Sequence, residues 1–242
     1  MAMFDWIKRV FFPDRERVSN ISRDAPDEHV WSEADAPAIE NTLRALQTFG
    51  LRPTPNVIGR LAETALEIAR KSSGDISYGK FDAGSHALLA LHLPDSFPED
   101  RLFENAILVP EFDENVDIIS HYKETIKRLV VLTGGKWVVE NVDVSTVDGK
   151  PPKLVEPLSI QLHTSPQVTP FSVMQLETLD ESLIERLNER LPAVVTERFA
   201  FFPDPDVLVV FLEPSQIVQL NQYCGSQFFS TSVKSALEGY SQ

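Results

Sequence analysis

The chain changes character at Gly134-Gly135, from an α-rich half to a β-rich half with covering helices, and that change limits the fold more than any other feature. Before the glycines, apolar residues recur at helical spacing. Ile39, Leu43, Leu46 and Phe49 form one stripe behind Pro37, and Gly50 is a fitting terminator. A second helix is expected from Thr54-Pro55, a cap followed by proline at the first position, through Leu61, Ala65 and Ile68 to about Lys71. The short loop between them predicts an antiparallel helical hairpin. Ile76 to Phe81, Ala87 to Leu93 and Ile107 to Val109 read as short strands. A helix is expected from about Val116 to Leu132, with Ile118, Ile119, Tyr122, Ile126 and Leu129 inward.

After the glycines the period shortens. Lys136 to Val147 is strand-rich, and Asp148-Gly149 is a hairpin-turn signal. Leu158, Ile160 and Leu162 alternate with Ser159, Gln161 and His163, the pattern of a half-buried strand, and Phe171 to Leu176 reads as another. Thr178 to Glu181 fits a capping box that opens a helix to about Leu191. Val194 to Phe202 and Val207 to Leu212 read as strands separated by Pro203-Asp204-Pro205-Asp206. Pro214 opens a helix to Tyr223, and a last helix is expected over Ser232 to Leu237.

The class is therefore α+β. An α-rich N-terminal half holds the helical hairpin and short strands, and a β-rich C-terminal half holds an antiparallel sheet covered by helices. The organisation is read as an amphipathic helix at 1–13, an acidic arm at 14–36, an α-rich lobe at 37–135 and an α+β lobe at 136–242. One continuous domain over 37–242 is the alternative. In the N-terminal helix, Met3, Phe4, Trp6, Ile7, Val10 and Phe11 share a broad arc opposite Asp5, Lys8 and Arg9. Docking on its own domain is favoured over self-association or membrane contact, because the helix is short and carries few cations.

The chain holds 36 acidic and 22 basic residues, a formal charge of −14. Residues 1–136 hold 16 basic and 22 acidic residues and 137–242 hold 6 and 14, so the excess is spread over both halves. Phosphate binding needs a basic surface, so the charge argues against a general nucleic-acid binder, and no nucleic-acid partner is expected. Cys224 is the sole cysteine, which rules out an intrachain disulfide or a Cys-rich zinc site and favours a reducing compartment. No apolar run approaches the roughly 18 residues of a membrane span. A cytoplasmic protein is expected.

Motifs for chemistry are sparse. Gly134-Gly135-Lys136 lacks the earlier glycine and the Ser or Thr of a phosphate loop, and it reads as a helix-ending turn. Gly84-Ser85-His86 is only a fragment of a nucleophile elbow. Cys224 falls at a helix C-terminus, whose negative pole opposes thiolate formation, and reads as a packing residue. Asp117 and His121 lie one helical turn apart. Glu111, Asp113 and Glu114 cluster before a helix but lack the calcium-loop pattern, and Asp204 and Asp206 are explained by a turn. No cofactor and no metal are expected.

The reading this supports is a non-catalytic binding protein with a basic protein partner. Its acidic charge is densest in the arm at 14–36 and the loop at 95–117, and Glu99, Asp100, Glu104, Glu111, Asp113 and Glu114 are the expected contact residues. The most concrete form is a bacterial immunity-type protein whose carboxylates occupy phosphate positions in a cationic toxin. Two alternatives stand beside it. One is an enzyme that assembles a carboxylate with His86, His92, His121 or His163 from distant segments. The other is an assembly component docking through the N-terminal helix. The oligomeric state is not set by the sequence.

Overall fold

The computed structural model describes residues 32–71, 101–109, 117–146, 157–174, 182–202 and 207–224. Among these, the helices are α1 (Ala36–Thr48), α2 (Leu61–Lys71), α3 (Ile118–Leu132), α4 (Ser182–Asn188) and α5 (Pro214–Cys224). The strands are β1 (Ala106–Val109), β2 (Asn141–Thr146), β3 (Pro157–Thr164), β4 (Gln167–Met174), β5 (Arg198–Phe202) and β6 (Val207–Leu212). They form two three-stranded antiparallel sheets, β1-β6-β5 and β2-β3-β4. The expected α+β class holds, with helices leading and sheets mostly C-terminal.

The middle strand β6 is Val-Leu-Val-Val-Phe-Leu and carries no polar side chain. Successive side chains of a strand point to opposite faces. Leu208, Val210 and Leu212 therefore enter one core, and Val207, Val209 and Phe211 enter another. Antiparallel sheets commonly leave one face to water. This one is covered on both, which is why β6 lacks the apolar/polar alternation seen in β3.

On one face α1, α2 and α5 contribute Ile39, Leu43, Leu46, Ile68, Ile217 and Leu220. On the other, α3 and α4 pack with the inner face of the second sheet, through Tyr122, Ile126, Leu183, Leu187, Ile160 and Leu162. The rings of Phe199 and Phe211 meet there at 4.7 Å. Strand β1 precedes Gly134-Gly135 and pairs with β6, which follows it, so Ala106 lies opposite Val210 and Val109 opposite Val207.

Several element boundaries differ from expectation. The second helix starts at Leu61, not at Thr54-Pro55. Residues 54–59 make a tight turn in which the Val57 and Ile58 amides both donate to the Thr54 carbonyl, and Gly59 at φ +86° ends it. Strand structure begins at Asn141, not at Lys136. The helix-ending turn continues past Gly134 and Gly135, both at positive φ, and Thr133 Oγ1 accepts from the amide of buried Trp137. Strand β4 is shifted toward the N-terminus and follows β3 after only Ser165-Pro166. Strand β5 starts at Arg198, and Val194 is 87% exposed. Helix α4 ends at Asn188, short of Leu191. The N-terminal helix, residues 14–31 of the arm, the strands at 76–81 and 87–93, Asp148-Gly149, the Thr178–Glu181 box and the helix at 232–237 lie outside the described residues.

Candidate functional site

Of the six acidic residues expected to contact a partner, Glu104 lies among the described residues. Glu99, Asp100, Glu111, Asp113 and Glu114 lie outside them. Glu104 sits just before β1, where residues 102–104 run antiparallel to residues 52–54. The Glu104 amide donates to the Arg52 carbonyl at 2.7 Å and the Thr54 amide to the Leu102 carbonyl at 3.0 Å.

Asn105, only 1% exposed, fixes this corner to the central sheet. Its Oδ1 accepts from the Arg52 amide at 2.9 Å, and its Nδ2 donates to the Gly50 and Phe211 carbonyls at 3.0 and 3.1 Å. Its own carbonyl accepts from the Phe211 amide. Every polar atom of the side-chain amide is engaged, as burial requires. Arg52 is thereby held with Nε 3.6 Å from the Glu104 carboxylate, both side chains about half exposed.

A second ion pair lies nearby. Lys136 Nζ, in the turn after α3, donates to Glu197 Oε1 ahead of β5. The Glu197 side chain is 12% exposed. Burial is the largest influence on its carboxyl and pushes the pKa up. The Lys136 hydrogen bond, a backbone hydrogen bond and the charges of Lys136 and Arg52 together outweigh it, so the pKa falls below the ordinary 4.5. A side chain placed on Gly134 would lie 3.8 Å from Arg52 Nη2, so the guanidinium reaches this turn as well. Arg52, Glu104, Lys136 and Glu197 balance two cations against two carboxylates. Such a set ties four chain segments together and has no surplus charge to attract an ion.

The strand register makes a third constellation. Asn141 lies opposite His163 and Asp143 opposite Gln161, so Asp143 and His163 are diagonal neighbours on the outer face of the second sheet. His163 Nε2 is 2.8 Å from Asp143 Oδ2, Asn141 Nδ2 donates to Asp143 Oδ1 at 2.9 Å, and Lys123 Nζ is 3.9 Å away. A carboxylate–imidazole pair is the unit that acid–base chemistry uses. Here it lies on an open sheet face, with the two side chains 50% and 32% exposed.

The other candidates separate. Asp117 is the N-cap of α3, its carboxylate accepting from the Ile119 amide and Ser120 Oγ at 3.2 and 2.6 Å. Burial, and then the charge of Arg128, lower the pKa of His121. Cys224 is buried in the first core. His86, His92 and Gly84-Ser85 lie outside the described residues. Among the described residues, no three His, Cys, Asp or Glu are grouped to hold a metal ion, and no helix is long and apolar enough to cross a membrane.

Charge is partitioned unevenly between the described elements and the rest of the chain. Of the 36 acidic and 22 basic residues, the described segments hold 14 and 13, which leaves 22 and 9 elsewhere. The described body is thus near neutrality, and its charges are largely taken up in pairs such as Arg44–Glu40, Arg60–Glu63 and Arg70–Glu33. The residues that sequence reasoning missed are Arg52, Asn105, Lys136, Glu197 and Asp143. Comparisons with protein-family models, curated proteins and solved structures give no match.

Proposed function

We propose that this chain is a non-catalytic cytoplasmic binding protein that engages a basic protein partner through the acidic residues of its 95–117 stretch. The observation that carries this reading is the acidic excess of the chain, 36 acids against 22 bases, with residues 95–117 holding eight acids against the single base Arg101. Surplus charge of one sign raises encounter rates with a partner of the other sign and favours the oriented approach. Residues 95–116 include Glu99, Asp100, Glu111, Asp113 and Glu114, the densest group. Glu104 is set apart from them by its pairing with Arg52. The most specific form is an immunity-type protein that occludes the active site of a cationic toxin, with carboxylates standing where the toxin takes phosphates.

The test is affinity copurification of the tagged full chain from its native host. Beside it runs a variant with Glu99, Asp100, Glu111, Asp113 and Glu114 changed to their amides, and a second carrying Glu104→Gln. The expected result is one strongly basic protein captured by the parent and by Glu104→Gln, released by salt, and absent with the five-position variant. Capture that resists salt, or that survives the five substitutions, would reject the reading.

A further inference from the structure

Among the described residues, strands β4 and β5 each pair with one neighbouring strand. The free side of such a strand presents N–H and C=O groups that another strand can join. Side chains from outside the sheets occupy several of those groups here. Asn188, the last residue of α4, donates Nδ2 to the Phe199 carbonyl at 2.9 Å and accepts from the Phe199 amide at 2.8 Å. Phe211, opposite Phe199 on β6, turns its own N–H and C=O toward Asn105. The polar groups of Phe199 therefore face the open edge, and the Asn188 amide makes the pair of bonds a neighbouring strand would make.

Two residues on, Arg190 Nη2 donates to the Pro170 carbonyl of β4 at 3.2 Å, with its guanidinium carbon 4.4 Å from the centre of the Phe171 ring. Arg190 Nη1 is anchored on the Arg186 carbonyl and the Glu189 carboxylate. The Tyr122 hydroxyl donates to the Met174 carbonyl, four residues further along the same edge. Pro170 itself brings no N–H to that edge.

We infer that residues 188–190 form a strap that guards the β5 edge of one sheet and the β4 edge of the other against strand addition by a second copy of this chain. The choice of occupant follows from the strands themselves. Charged side chains are the usual guard of an exposed edge. Gln167–Met174 contains none, and the buried stretch of β5 is Phe199-Ala200-Phe201. Two copies of β4 can pair antiparallel across a two-fold axis with no like charges facing each other, and β5 carries only Arg198, at its N-terminal end. The strap supplies what the strands lack.

The test is sedimentation velocity of the full chain over a wide concentration range. Parent, Asn188→Ala/Arg190→Ala, Asn188→Asp and Leu187→Ala are compared, each with its far-UV spectrum. Leu187 is buried beside the strap, so its truncation weakens the fold without freeing an edge. The double variant is expected to self-associate about tenfold more tightly than the parent while keeping its spectrum, and Leu187→Ala to match the parent. Asn188→Asp keeps the acceptor for the Phe199 amide and loses the donor, so an intermediate shift is expected. If the double variant does not fold, Asn188→Asp decides, and parent-like sedimentation overturns the inference. So does equal association of Leu187→Ala.

Discussion

Asn105→Ala removes three hydrogen bonds at once from a site that is 1% exposed. A typical internal hydrogen bond contributes about 1 kcal/mol net, and a buried group left without a partner costs about 1–3 kcal/mol. The Phe211 carbonyl is fully enclosed, whereas the Gly50 carbonyl and Arg52 amide lie nearer the surface, where water can replace part of the loss. A destabilisation of about 3 kcal/mol follows, a large fraction of the roughly 5–15 kcal/mol that holds a domain folded. Urea unfolding followed by far-UV circular dichroism measures it, with an unchanged slope showing that only stability has moved. Asn105→Asp is the matched control. It can still accept from the Arg52 amide but turns a carboxylate toward two carbonyls, so at neutral pH it should be no better than alanine. A loss below about 1 kcal/mol for Asn105→Ala would refute the idea that this side chain latches residues 50–54 to the central sheet.

Gly50 sits at φ +90°, and a Cβ there would lie 2.3 Å from Gln216 Nε2, so Gly50→Ala should cost about 2 kcal/mol by the same urea assay. Lys136→Met strands a carboxylate that is 12% exposed and should cost about 2 kcal/mol at pH 7, discounted because Lys136 itself is half exposed. The folded-state pKa of Glu197 lies below its ordinary 4.5, so in the parent its contribution is present above about that pH and is lost as pH falls through the lower folded value. In Lys136→Met burial is opposed only by the backbone hydrogen bond and the Arg52 charge, so the carboxyl pKa rises relative to the parent and the deficit should shrink as pH drops below about 4, seen as converging urea midpoints. Leu208→Ala, at the fully buried centre of β6, should cost about 3–4 kcal/mol, while Val194→Asp on the exposed turn should stay within about 0.5 kcal/mol.

The helices facing the first core were legible because Ile39, Leu43 and Leu46 repeat at a spacing set by one buried stripe. The β6 run was legible because it has no polar residue to misplace. Boundaries failed where a local signal was overridden by contacts distant in sequence. Thr54-Pro55 has the chemistry of a helix start, yet the Thr54 amide is taken by Leu102 and Gly59 interrupts the turn before a helix can propagate. Lys136 to Val139 resembled the start of a strand because Val138, Val142 and Val144 fall at spacings of four and two, but Val138 is exposed and the Gly134-Gly135 turn instead carries Trp137 into the second core.

The candidate sites were harder to read, because each depends on register. Asp143 and His163 are 20 residues apart and meet only through the β2–β3 alignment. Asn105, flanked by Glu104 and Ala106, carries no motif, and its role appears only when β1 lies beside β6. The acidity, by contrast, was plain in the composition. What the sequence did not reveal is that the residues forming the described elements are nearly neutral.

Association kinetics test the functional claim most directly. With the captured basic partner immobilised, the on-rate of the full chain is measured from about 50 to about 500 mM salt, for the parent and for the five-position amide variant. The parent rate should fall about tenfold or more across that range, and the variant should be slow at low salt and nearly flat. Overlapping curves for the two proteins would contradict the account.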